Sequence, residues 1–144
     1  MKNVLLIITA LFCFTALTSS EASAQCNSEQ LTDACIPKLQ GGYTFLKSYQ
    51  IDGQDGAKNK VEYSYVFTKG AQYMINLCAE GQSTDGIIVT LYDSNRKKMV
   101  SSLIDGQYIS AISYPCNNTG IYYITFTFDN SQSYCGGSVL GFKR

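Results

Sequence analysis

Histidine is missing from all 144 residues. No Ser-His-Asp or Cys-His arrangement can therefore be built, and the commonest general base is gone. What remains is six cysteines, a set of carboxylates and eleven tyrosines. Cys13 lies in an N-terminal apolar run, which leaves Cys26, Cys35, Cys78, Cys116 and Cys135 as disulfide candidates. Their spacings match neither a C-x-x-C redox pair nor a zinc pattern, and a mixed Cys/His metal site is excluded. No metal site and no cofactor are expected. An odd number of thiols cannot pair completely within one chain, so one is free or shared with a partner.

The carboxylates Asp52, Asp55, Asp85, Asp93, Asp105 and Asp129 fall mainly in turn segments. A carboxylate-based hydrolase needs two of them facing one cleft, and this scatter is also what solvated turns look like. The chain is read as a non-enzyme, with that hydrolase as an alternative. Asp52-Gly53-Gln54-Asp55-Gly56-Ala57-Lys58-Asn59 invites a calcium reading. It departs from the EF-hand template at the third, fifth and sixth positions, and Lys58 and Lys60 oppose a cation. A surface loop is the better account. Tyr92 and Tyr123 stand apart from the other tyrosines by falling on outward or doubly apolar strand positions. They are the binding-residue candidates, a flat platform for a sugar or protein if they are neighbours. Packing as a cross-strand aromatic pair is the plainer alternative.

The elements that position these residues begin after a leader. Lys2 precedes the apolar run Val4 to Leu17, and Ala22-Ser23-Ala24 has the form that signal peptidase reads. The run is shorter than the roughly 20 residues a spanning helix needs. Residues 1–24 are thus read as a cleavable signal peptide, cut near Ala24/Gln25, and 25–144 as one secreted or periplasmic domain. Integral membrane insertion is not expected. A lipoprotein ending before Cys26 is disfavoured by Gln25, which occupies the small-residue position. Acids and bases balance, ten of each once Lys2 and Glu21 leave. No global field recruits nucleic acid, and Arg96-Lys97-Lys98 reads as a solvated hairpin end.

Asn27 to Gln30 has the form of a capped helix start, with Leu31, Ala34 and Cys35 on one face and Pro37 ending it. If the segment is helical, Cys26 and Cys35 lie about 13 Å apart at 1.5 Å per residue. That exceeds the roughly 7 Å reach of a disulfide, so helix and bridge exclude each other. Strand ends favour Cys78 with Cys135.

From Tyr43 the apolar period is two. Tyr43, Phe45, Tyr49 and Ile51 alternate with polar residues, as do Val61, Tyr63, Tyr65 and Phe67, then Ala71, Tyr73, Ile75 and Leu77. Ile87 to Tyr92 is apolar on both faces. Met99 to Leu103 and Tyr108 to Tyr114 are weaker strands around an Asp105-Gly106 turn. Tyr122, Ile124, Phe126 and Phe128 point inward from the strongest strand, and Val139 to Phe142 forms a last one, loosened by Gly136, Gly137 and Gly141. About eight short strands between turn signals predict an all-β, antiparallel, jelly-roll-like sandwich with a short N-terminal helix. Asn117-Asn118-Thr119 has the form of a glycosylation acceptor but reads as a turn.

Ile87 to Asn95, Thr119 to Phe126 and Tyr65 to Tyr73 together resemble the bacterial pre-peptidase C-terminal domain, in its strand ending Leu-Tyr-Asp and its Thr-Gly-x-Tyr-Tyr-Ile entry. The likeness covers about Glu62 to Phe128. It implies a non-catalytic sandwich that assists exported proteins or binds surface polymers. This chain departs from the family in carrying more cysteine and in not following an enzyme. The function expected is an accessory or binding module recognising a protein or polysaccharide at the cell surface. A structural envelope subunit linked through the unpaired cysteine is a further alternative.

Overall fold

The computed structural model describes residues 25–81 and 84–144. The signal peptide assigned to residues 1–24 lies outside them. Among the described residues one α-helix, α1 (Ser28–Cys35), precedes ten strands: β1 (Thr44–Asp52), β2 (Lys60–Phe67), β3 (Gln72–Ala79), β4 (Ile87–Tyr92), β5 (Lys98–Ser101), β6 (Leu103–Ile104), β7 (Gln107–Tyr108), β8 (Ala111–Pro115), β9 (Gly120–Phe128) and β10 (Cys135–Lys143). Eight of them form two four-stranded sheets, ordered β1-β10-β3-β8 and β2-β9-β4-β5, and β6–β7 is a separate hairpin around Asp105-Gly106. All pairings are antiparallel. Strands successive in the chain repeatedly cross from one sheet to the other, the order of a jelly roll. The expected fold class is the observed one.

The period-two pattern places the core as predicted for most strands. Tyr49, Ile51, Phe67, Tyr73, Ile75, Leu77, Val89, Leu91, Tyr122, Ile124, Phe126 and Leu140 are buried between the sheets. Phe67 stacks on Tyr73 at 3.8 Å and on Tyr122 at 4.8 Å. Core phenols mostly reach a partner at the sandwich edge: Tyr63 donates to the Gln50 carbonyl and Tyr122 to that of Asn118, while Tyr73 Oη accepts from the Thr68 amide. Tyr49 is the exception, its hydroxyl buried without a hydrogen bond. Burial, reinforced by Tyr65 and Tyr63, pushes its pKa far above the usual phenol value.

Three expectations are corrected. Phe45 is 43 % exposed, because a register shift between Phe45 and Lys47 flips the strand phase and turns Leu46 toward the core. The buried side of α1 runs through Ser28, Thr32 and Cys35, and Ala34 is exposed. The glycines of β10 do not loosen it. A Cβ on Gly137 would collide with the backbone of Leu31 and Thr32, and one on Gly141 would press into Leu39. They are the seat on which α1 and its following turn rest. Small Ser28 and Thr32 suit this close approach, and Thr32 Oγ1 turns back to the Ser28 carbonyl at 2.6 Å.

The helix starts as predicted: Asn27 Oδ1 accepts from the Gln30 amide, and Asn27 Nδ2 donates to Gln30 Oε1 at 2.7 Å. Cys26 and Cys35 accordingly do not pair. The bridges are Cys26–Cys135 and Cys35–Cys78, with Cys116 free. Cys78 with Cys135 is thus wrong, although the strands are neighbours as reasoned. Cys78 lies opposite Gly137, so Cys135 is two residues off along β10. Such diagonals span about 7–8 Å, at or beyond the reach of a disulfide. Cys35, the last residue of α1, bridges to Cys78 instead, and Cys26, just before the helix, bridges to Cys135.

Candidate functional site

The two sheets present very different outer faces. On the β1-β10-β3-β8 side, Cys35, Cys78 and Val139 form a small second core with Leu39 against them. On the β2-β9-β4-β5 side no helix lies over the sheet among the described residues. Strand register arranges its outward side chains as a grid. Val66 faces Ile121; Ser64, Tyr123, Tyr92 and Lys98 form the next row; Glu62, Thr125, Thr90 and Ser101 the third. Lys60, Thr127 and Ile88 complete it.

The structure brings Tyr92 and Tyr123 together as opposed residues on β4 and β9, both half-buried. They do not make a bare aromatic platform. The Arg96 guanidinium lies 3.6 Å from the Tyr123 ring centroid and donates to Glu62 Oε2 at 2.9 Å. Arg96 is therefore more than part of a solvated turn. Its backbone has φ 64, and Asp93 Oδ1 accepts from the amides of Asn95 and Lys97 on either side, which turns the arginine back onto the sheet. Such a cation over an aromatic ring is worth about 0.5–1 kcal/mol when exposed.

Glu62 closes this network, also accepting from Thr125 Oγ1 at 2.8 Å, with Lys60 at 3.7 Å. Partial burial works to raise its pKa. The hydrogen bonds from Arg96 and Thr125 and the charges of Lys60 and Arg96 outweigh this and hold the carboxyl below its usual range. Beside it, Thr90 and Ser101 share a hydroxyl contact at 3.2 Å.

At the other end of the grid the face is apolar. Val66 is 56 % and Ile121 48 % exposed, and with Ser64 and Tyr65 they line a shallow hollow of about 440 Å³. A second hollow of about 230 Å³ adjoins it and shares Ile121 as a wall. Its rim includes Asp93, Asn95, Asn118 and Thr119, over a floor of Tyr114 and Tyr122.

Sequence reading singled out Tyr92 and Tyr123 and missed Val66, Ile121, Arg96 and Glu62. The signal for two of these was present. Val66 and Ile121 are apolar residues at the polar phase of strands whose inward phase is unambiguous. Arg96 and Glu62 are brought together only by sheet formation, 34 residues apart in sequence.

Cys116 sits between β8 and β9, 3 % exposed. Its thiol donates to the Asn118 carbonyl at 3.1 Å. Cys26 is committed to Cys135, so its sulfur cannot carry a lipid in this fold. The calcium-like loop contains a 3₁₀ turn at Gln54–Gly56. Among the described residues no group of three or more His, Cys, Asp or Glu is placed to hold a metal, and no helix is long and apolar enough to cross a membrane. Asp85 is a structural clamp: it accepts from Ser131 and Ser133 hydroxyls and from the amides of Gln132 and Ser133. Partial burial pushes its pKa up, but these bonds outweigh it and lower the net value.

The sequence matches no protein-family model. It also matches no curated protein. Among solved structures it is similar to a periplasmic inhibitor of g-type lysozyme from Aeromonas hydrophila, at 12 % identity and a TM-score of 0.44, over 70 % of this chain and 86 % of that one. A likeness of that extent is partial.

Proposed function

We propose that this chain is an exported, non-catalytic binding or accessory module that recognises a protein or polysaccharide at the cell surface through the outer face of β2-β9-β4-β5. The observation that carries this reading is the Val66–Ile121 pair. Large apolar side chains exposed singly need no explanation. Here two are register partners, more than half and nearly half exposed, at the end of a face that also holds Tyr92, Tyr123 and Arg96. Aromatic and arginine side chains around an apolar patch are the composition of recognition surfaces. Two disulfides fit an oxidising compartment, which supports secretion or a periplasmic location. The resemblance of Glu62 to Phe128 to the pre-peptidase C-terminal domain fits the same role.

The alternatives find less support. A subunit linked through Cys116 would need a thiol that is buried and hydrogen-bonded in the fold. A glycosidase-like acid needs a raised carboxyl pKa, and burial notwithstanding, Glu62 and Asp85 are both lowered by their hydrogen bonds.

The test is a glycan array together with capture from envelope extract, run with the native chain and with the double variant Ile121→Ser, Tyr123→Ala. Binding to a glycan or a discrete protein, lost in the variant, is expected. Equal binding by both chains would place recognition elsewhere.

A further inference from the structure

Four strands end the two sheets: β1, β8, β2 and β5. An edge strand turns alternate N–H and C=O groups outward with no neighbour, and proteins blunt such edges to prevent pairing with other chains. Three of the four are blunted here. β1 carries the bulge near Leu46 and exposed Lys47. β8 has five residues and ends in Pro115. β5 has four, opens on Lys98 and meets β4 with a register shift. β2 is different. It runs eight residues, Lys60–Phe67, in unbroken register with β9, and contains neither proline nor glycine.

We propose that the open edge of β2 pairs antiparallel with β2 of a second copy of this chain, centred on Tyr63, joining the two β2-β9-β4-β5 sheets into one of eight strands. Self-complementarity of β2 points to a second copy. In a two-fold antiparallel pair the outward face of one sheet must continue as the outward face of the other, so opposed residues share a phase. Centring on Glu62 sets two carboxylates opposite each other. Centring on Ser64 sets Glu62 against Val66. Centring on Tyr63 sets Glu62 against Ser64, a hydroxyl donor for a carboxylate, and lays the stem of Lys60 along Val66. On the inward phase it sets Tyr65 against Val61, an aromatic with a β-branched partner, the favoured cross-strand combination. Val61, Tyr63 and Tyr65 are only half-buried in the single chain, so pairing would cover them further. A chain of zero formal net charge offers little electrostatic resistance to self-association.

This pairing shares Ser64 and Val66 with the hollow of the proposed binding face, but its test is read without any ligand, so either can fail without the other. Sedimentation equilibrium of the disulfide-intact chain, from low to high micromolar concentration, is expected to show a reversible dimer. Ser64 is exposed, so its replacement leaves the fold intact, which circular dichroism checks. Ser64→Glu places like charges opposite at two symmetric positions and is expected to weaken the dimer about tenfold. Ser64→Lys places opposite charges there and is expected to preserve or tighten it. A monomer at every concentration overturns the proposal, and so does a dimer that both variants leave unchanged. Weakening by both variants would move the centre to Ser64 and overturn the register. A monomer whose β2 amides gain exchange protection only in envelope extract would assign the edge to a foreign strand and overturn the second copy.

Discussion

The two outer faces of this sandwich are built on the same kind of four-stranded sheet, yet one is covered by a helix and the other, whose Thr90, Thr125 and Ser101 are buried, lies open at Val66 and Ile121. Over β10 the chain supplies glycine at positions 137 and 141, and an eight-residue helix lies almost backbone to backbone on the strand. So short a helix has little stability of its own. Its place is secured by Cys26–Cys135 and Cys35–Cys78, which close segments with sequence separations of 109 and 43. The opposite face has β-branched, hydroxyl and aromatic side chains where β10 has glycine, so no backbone can approach as closely. The difference teaches that covering a sheet requires small residues beneath and a tether above. Where both are missing, the face stays available to another molecule.

The largest effect on this contrast should come from removing the tether. Replacing Cys26 and Cys135 together by serine is expected to cost about 2–5 kcal/mol, read by urea unfolding, with loss of helical ellipticity from α1. A variant as stable as the native chain would mean that α1 is held by packing alone. Next is Gly137→Ala, which drives a methyl into the α1 backbone and should cost about 1–3 kcal/mol. The paired control is Ile121→Ser on the open face, expected to stay within about 0.5 kcal/mol. Equal losses at the two sites would erase the distinction between the faces.

The smallest effect is electrostatic. The folded pKa of Glu62 lies below its ordinary value of 4.5, so its contribution is present above that pH and is lost as pH falls through the folded value. Exposed partners keep it under about 1 kcal/mol. Glu62→Gln should therefore flatten the acid limb of the stability profile below about pH 5. A profile identical to that of the native chain would show the Arg96–Glu62 contact to be energetically idle.

Much of the fold was legible because period-two burial is a local property. The inward phases of β2, β3 and β9 followed directly from Tyr63, Ile75 and Ile124, and Asn27 with Gln30 marked the helix start. The bulge that exposes Phe45 was not legible, since nothing in Phe45-Leu46-Lys47 differs locally from a regular strand. The bridges depend on the same long-range placement. Knowing that β3 and β10 adjoin was insufficient, because a disulfide discriminates between opposed and diagonal positions. The candidate face was half legible. Val66 and Ile121 violate the phase of their own strands, whereas the turning of Arg96 onto Tyr123 depends on the β4–β5 turn conformation and on the β4–β9 register.

Covalent footprinting with hydroxyl radicals, in the presence of whichever glycan or envelope protein binds, tests the central claim most directly. Val66, Ile121, Tyr92 and Tyr123 are expected to lose labelling on binding, while Ile36 and Phe45, exposed elsewhere on the chain, keep theirs. Protection of Ile36 or Phe45 with unchanged labelling at Val66 and Ile121 would contradict it.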